Sequence, residues 1–169
     1  VKMLNNLSAE LNVMRHSMLE TGLQCVSFNL NRRNNNLRLF EFGKTYTTSE
    51  TGKYFETDHI AIYTSGNTEA SWKQKASATD VYYLKAVVNS ILQQAGLKAE
   101  TQLTQATAGF SGGVEYKIKK QVVATVAIVD TNRLKQFDIK QPVYFADINW
   151  NVLTQYAAQS KLSYNEIAR

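Results

Sequence analysis

Several things are scarce in this chain, and each scarcity removes a class of function. It has one cysteine, Cys25, and one proline, Pro142, in 169 residues. A single cysteine cannot close an internal disulfide, which fits a reducing, cytoplasmic setting and not a disulfide-stapled secreted scaffold. A single proline leaves no Pro-rich linker, and the length suits one domain with a full core. No apolar run approaches the ~18–20 residues of a membrane-spanning helix, and the amino-terminal stretch has no signal-peptide apolar segment. The two histidines, His16 and His59, stand at no metal-ligand spacing with Cys25 or the carboxylates, so no metal site is expected. A phosphate-cradling glycine loop and a dinucleotide fingerprint are also missing. Cys25 falls on an apolar helical stripe and reads as a small core residue.

What is present is ordinary globular material. Hydrophobic residues make up 44% of the chain, and 19 Lys and Arg against 14 Asp and Glu give a net charge of +5. The densest basic groups are Lys117, Lys119 and Lys120, then Arg32 and Arg33. A solvated surface explains them at least as well as a nucleic-acid contact does.

The stretch from Val13 to Tyr46 organises the rest. Ser17 followed by Glu20 has capping-box spacing, and Leu19, Leu23, Val26 and Leu30 recur at near-helical intervals. Met18, Cys25 and Phe28 widen that stripe, so the helix is expected to contact both its own sheet and a partner. Asn31–Asn36 breaks the pattern as a turn. Leu37–Phe42 then reads as a strand apolar on both faces, hence central, with its charges paired. Glu41 is the candidate for a buried ion pair, with Arg38 as its expected partner inside the sheet and Arg15 also near in sequence. Gly43 punctuates the strand, and 47–55 reads as a turn-rich loop around Gly52.

Further on, 57–64 is a strand antiparallel to the first. Residues 79–95 form a helix capped by Thr79 or Ser77 and ended by Gly96. Residues 99–105 alternate weakly. Val114–Ile118 and Gln121–Val129 read as a hairpin, a short turn or helix starts at Asp130, Val143–Asn149 is a strand, and Trp150–Gln159 is a final helix. This order indicates an α+β fold with an antiparallel sheet flanked by helices. Gly109-Phe110-Ser111-Gly112-Gly113 matches the G-x-S-x-G nucleophile pattern, but a strand follows it where the chemistry needs a helix; a flexible glycine loop is the better reading. Glu56, Asp58 and His59 cluster on paper, yet strand alternation sends Asp58 and His59 to opposite faces. Spacing alone yields no active site. A free-standing binding module for a small ligand or RNA, and a hydrolase on the GFSGG stretch, remain the alternatives at this level.

A set of ordered segments carries a resemblance. Asn6-Leu7-Ser8-Ala9-Glu10-Leu11, Val13-Met14-Arg15-His16-Ser17-Met18-Leu19, Asn29-Leu30-Asn31-Arg32 and Leu37-Arg38-Leu39-Phe40-Glu41-Phe42-Gly43-Lys44 resemble the β subunit of bacterial phenylalanine–tRNA ligase. Its familiar form is N-P-L-S-x-E, M-R-x-S-L-L, N-L-N-R and R-L-F-E-I-G-R-x-F, and here Asn6 replaces the proline. The resemblance continues through the helix Asp80–Leu92, the strand Val122–Val129 with Phe137-Asp138-Ile139-Lys140, and Val143–Trp150.

The resemblance implies a degenerate class II aminoacyl-tRNA synthetase module, one domain over residues 1–169 ending before an anticodon-binding-like domain. It implies a heterotetramer of two α and two β subunits that attaches phenylalanine to tRNA(Phe), with ATP and Mg²⁺ used in α and no cofactor in this segment. Arg15, Leu19, Leu23, Val26 and Leu30 are the expected α-interface residues, and Arg32, Arg33, Lys119 and Lys120 the expected tRNA-facing ones. The strand Leu37–Tyr46 stands where class II motif 2 begins. Thr47 and Thr48 occupy the place of its ATP-binding arginine, and Val143–Leu153 lacks the Gly and Arg of the third motif, so this module is expected to be inactive by itself.

Overall fold

A computed structural model describes residues 13–159 apart from positions 51, 74 and 108. The Asn6 position, where the resembled family has proline, lies outside these residues. The elements run α1 (Leu19–Leu30), β1 (Leu37–Glu50), β2 (Lys53–Ser65), α2 (Val81–Gln94), β3 (Glu100–Thr104), β4 (Phe110–Ile118), β5 (Gln121–Val129), α3 (Thr131–Gln136), β6 (Val143–Asn149) and α4 (Trp150–Ala157). The six strands form one sheet in the order β1-β2-β6-β5-β4-β3, every pair antiparallel. The α+β reading therefore holds.

Strand alternation divides the core between the two faces of this sheet. On one face Met18, Leu19, Leu23 and Val26 of the α1 region pack on Ala61, Tyr63, Val129, Val143 and Phe145, with Leu134 and Ile139 from the α3 region. On the other, Leu84, Val88 and Leu92 of α2 and Leu153 of α4 cover Ile60, Ala124, Val126, Ala146 and Ile148. Close fit on the first face depends on Gly22. A Cβ there would stand 2.0 Å from Tyr63 Cζ, and the tyrosine hydroxyl donates to Met18 O at 2.6 Å.

The main departure from the sequence reading is β1. It is an edge strand, with Phe40 and Phe42 71% and 61% exposed. Apolar side chains on both faces suggested a central strand; one of those faces instead looks onto an open groove. Gly43 does not interrupt β1, and the expected 47–55 loop is a tight hairpin turn at Gly52, whose φ is +87°. The GFSGG glycines lie largely within β4, where the register shifts between Phe110 and Gly112 and a Cβ on Gly113 would meet Val126 O at 2.3 Å. They are strand and bulge, not a flexible loop.

Helix ends differ by small steps. Ser17 sits one residue before the N-cap position, Met18, and its hydroxyl accepts from Leu19 N at 3.0 Å. Asp80, not Thr79 or Ser77, caps α2 by accepting from Tyr83 N at 2.7 Å. After α1 the left-handed position falls on Arg33 (φ +65°), not on an asparagine, with Arg33 N donating to Leu30 O and Asn34 N to Asn29 O.

Candidate functional site

Arg15 precedes α1 and lies across the outer edge of β1. Its Nη1 pairs with Glu41 Oε1 at 2.7 Å, its Nε donates to Lys44 O at 2.7 Å, and its own carbonyl accepts from Tyr46 N at 2.9 Å. Arg15 thus occupies, with its side chain at Lys44 O and its carbonyl at Tyr46 N, backbone groups that an edge strand would otherwise leave unmatched. Gly43 makes room for it, since a Cβ there would stand 1.9 Å from Arg15 Nη2. The expected Arg38–Glu41 pair does not form. Residues three apart in a strand project to opposite faces, and Arg38 instead meets Glu69 at 2.9 Å and Asn67 O at 3.3 Å.

Beside this lies a constellation whose members no spacing along the chain brings together. His59 Nδ1 is 2.7 Å from Asp147 Oδ1, and His59 Nε2 is 2.9 Å from Thr45 Oγ1. The ladder places Thr45 and His59 on neighbouring strands, with Asp147 two positions along β6. With the carboxylate accepting from Nδ1–H, Nε2 is left to accept the threonine proton. Those are the separations of a nucleophile, a base and its orienting acid. Thr45 is nonetheless only 7% exposed, so an acyl carbon has no approach to its hydroxyl. The relay ties β1, β2 and β6 together. The two carboxylates Glu41 and Asp147 also reach Tyr63: burial first, then their charges, push its phenol well above the ordinary tyrosine range.

Thr47 and Thr48, where the resemblance expects the ATP-binding arginine to be missing, fall on the outer part of the β1–β2 hairpin. β2 pairs with β6 only from His59 onward, so the segments before it project as a two-stranded ribbon. Thr47 stands opposite Phe55, and Thr48 Oγ1 lies 2.8 Å from Glu50 O and 2.9 Å from Lys53 O, closing the turn. The lysines of the ribbon are already engaged. Lys44 meets Glu56 at 2.9 Å and Asp58 at 3.9 Å, and Lys53 meets Glu50 at 2.7 Å. The hydrogen bond and charge of Glu56, then the charge of Asp58, raise the Lys44 ammonium above its ordinary value. These residues do not fit a nucleotide triphosphate with its metal: around Lys44 and Lys53 stand three carboxylates, Glu50, Glu56 and Asp58, and that excess of negative charge repels phosphate.

The expected interface residues are distributed otherwise than the helical stripe suggested. Leu23 and Val26 are fully buried and Leu19 is 4% exposed, all within the core that α1 forms with the sheet. They have no surface to give a partner, and Leu30 packs at the margin of the same core. The outward side of α1 carries Cys25, which is exposed and not a core residue, and Phe28, 54% exposed. The two basic pairs lie at opposite ends of the sheet. Arg32 and Arg33 precede the start of β1, whereas Lys119 and Lys120 turn between β4 and β5, at the end where β6 finishes. Arg32 is also occupied locally, stacked 3.3 Å over Phe28 and donating to its carbonyl at 3.1 Å. They do not make one patch.

A polar cleft separates α1 from α3, lined by His16, Glu20, Asp130, Asn132, Arg133 and Gln136. Glu20 and Arg133 are in direct contact there. Partial burial works against the Glu20 charge, but its backbone hydrogen bond and those from Arg133 and Ser17, with the arginine charge, hold the carboxyl below its ordinary 4.5.

Comparison with known proteins agrees with this geometry. Residues 1–150 match the family described as the phenylalanyl tRNA synthetase beta chain CLM domain. Phenylalanine–tRNA ligase β subunits of Porphyromonas gingivalis and Bacteroides thetaiotaomicron are each 36% identical over 181 and 182 residues, covering 100% of this chain. The chain spans 22% of the length of those relatives. A pyrrolysyl-tRNA synthetase of Desulfitobacterium hafniense superposes with a TM-score of 0.65 at 13% identity, over 86% of this chain and 50% of that one, which is a likeness of fold. The match over residues 1–150 and the 36% identities across the whole chain give the assignment: the chain belongs to the family of the phenylalanyl-tRNA synthetase β-chain CLM domain.

Proposed function

We propose that this chain is a non-catalytic structural segment of a phenylalanine–tRNA ligase β subunit, serving to pack against the α subunit and frame the tRNA in a cytoplasmic two-α, two-β holoenzyme. ATP and Mg²⁺ belong, in this reading, to the α subunit. The observation that carries it is the β1–β2 ribbon: at the expected motif 2 position the chain has Thr47 and Thr48, and the carboxylates Glu50, Glu56 and Asp58 outnumber Lys44 and Lys53 where phosphate binding needs an excess of positive charge.

The ribbon also supplies the surface. A two-stranded ribbon beyond its sheet is marginal by itself, and this one exposes Tyr54 and Phe55 at 60% and 54%. Exposed aromatics on a projecting arm have the character of an interface anchor. The interface role expected of Leu19, Leu23 and Val26 therefore passes to Tyr54 and Phe55, while Arg15 acts by fixing β1 from behind. The test is co-purification of α with the β subunit. Changing both Tyr54 and Phe55 to Ser is expected to weaken assembly about tenfold or more; unchanged assembly would remove the ribbon from the interface.

A further inference from the structure

The groove beneath the exposed aromatics of β1 is a feature the scaffold role does not use. It lies on the α2-facing side, with a volume of about 350 Å³, and Phe40, Phe42, Ile60, Ile62, Val87 and Ile91 make it apolar. Small-molecule sites begin at roughly 300 Å³. At one end stand Arg38, Thr64 and Tyr83. Thr64 pairs with Arg38 across the β1–β2 ladder, so the guanidinium and the hydroxyl are neighbours on one face.

Thr64 is the observation that points to an occupant. The residue is 2% exposed, and its hydroxyl is buried without a hydrogen-bond partner among the described residues. Buried polar groups are ordinarily satisfied. The polar side chains that share this end of the groove with Thr64 are Arg38 and Tyr83, so an occupant held there meets a guanidinium as well as the hydroxyl. Arg38 is engaged with Glu69, but that carboxylate is 88% exposed, and an ion pair so open to solvent is readily exchanged.

We propose that this groove binds a small amphipathic carboxylate: an aromatic or branched-alkyl body against Phe40, Phe42, Ile62 and Val87, with its carboxylate taking hydrogen bonds from Arg38 and the Thr64 hydroxyl. The charge and the orphaned donor select an anionic acceptor, and the lining selects the body. The site is on the sheet face opposite the Thr45–His59–Asp147 relay and apart from the ribbon surface, so it stands independently of the scaffold reading.

The probe is 3-phenylpropionate, titrated into the isotopically labelled chain and followed by amide NMR, with 3-phenylpropan-1-ol as the neutral control. Saturable shifts are expected around Phe40–Phe42, Ile60–Thr64 and Val87, with the acid binding about tenfold tighter than the alcohol. Arg38→Gln should erase that preference. Thr64→Val, nearly isosteric, should weaken acid binding about fivefold, while raising the ligand-free melting temperature by a few degrees as the orphaned hydroxyl disappears. Val87→Phe, which fills the groove, should abolish binding with the remaining spectrum preserved. Shifts that do not saturate, that fall elsewhere, or that ignore both Arg38→Gln and Thr64→Val would overturn the proposal. Complete loss of probe binding on assembly with an α subunit would also overturn it, by making the groove a protein contact.

Discussion

Arg15 and Gly43 occupy the same space, and neither is intelligible alone. The guanidinium reaches Glu41 and Lys44 O only because position 43 has no side chain. Arg15→Met is expected to cost about 1–2 kcal/mol, since it removes charge-assisted hydrogen bonds from a partly exposed site. Gly43→Ala is expected to cost a similar amount, about 1–3 kcal/mol, by displacing Arg15. The two should not add. In a double-mutant cycle by urea denaturation the coupling is expected to be about 1 kcal/mol, and strict additivity would mean that Gly43 serves something other than Arg15.

Glu20 gives a pH signature at the same scale. Its carboxyl is held below 4.5 in the folded chain, so as pH falls the unfolded chain takes up the proton first. Its contribution is therefore fully present above about pH 4.5 and is lost as pH falls through the lower folded value. Glu20→Gln should flatten the stability profile between about pH 5 and 3 relative to wild type. An unchanged acid limb in the variant would show that the Glu20–Arg133 contact does not bear on folding.

At the scale of elements, the packing of α1 on the sheet includes one very close approach. Gly22 leaves space for the Tyr63 ring, whose hydroxyl satisfies Met18 O at the start of the helix. Helix propensity favours Gly22→Ala by roughly 1 kcal/mol, but the added methyl meets ring atoms at 2.0–2.3 Å. The net effect should be destabilising by about 2–3 kcal/mol, read as a lower denaturation midpoint; a stabilised variant would place Tyr63 elsewhere.

The elements also show where sequence reasoning succeeds and where it stops. α2 was legible because Leu84, Val88 and Leu92 repeat at the helical period and its end is marked by Gly96. The face of α1 was legible for the same reason, but periodicity says only that a stripe is buried. It does not say whether a sheet or a partner buries it, and so Leu23 and Val26 read as interface residues. β1 misled through its composition: Phe40 and Phe42 suggested burial on both faces, whereas they overhang a groove at the edge. Arg38–Glu41 failed on strand alternation, which already separated the two side chains.

For the whole molecule, the fold class followed from the order of helices and strands, and the family followed from motifs whose spacing is specific in combination. The relay of Thr45, His59 and Asp147 could not have been found that way. Its members are brought together by the β1-β2-β6 ladder, in which β6 arrives from 88 residues beyond His59, and only the register of that ladder gives their separations. The same holds for Thr64 beside Arg38. Long-range pairing creates both the polar relay and the groove, one on each face of the sheet, and the ribbon extends from the strands that carry them.

In the proposed function this segment keeps a class II framework without performing its chemistry. This is tested by phenylalanine-dependent ATP–pyrophosphate exchange in the proposed α–β assembly carrying Thr47→Ala or His59→Asn in this segment, with the rate expressed per intact complex. Rates within about twofold of wild type are expected for both, because in this reading neither residue touches a reacting atom. A fall of about a hundredfold or more with assembly intact would place these residues in a working active site and contradict it.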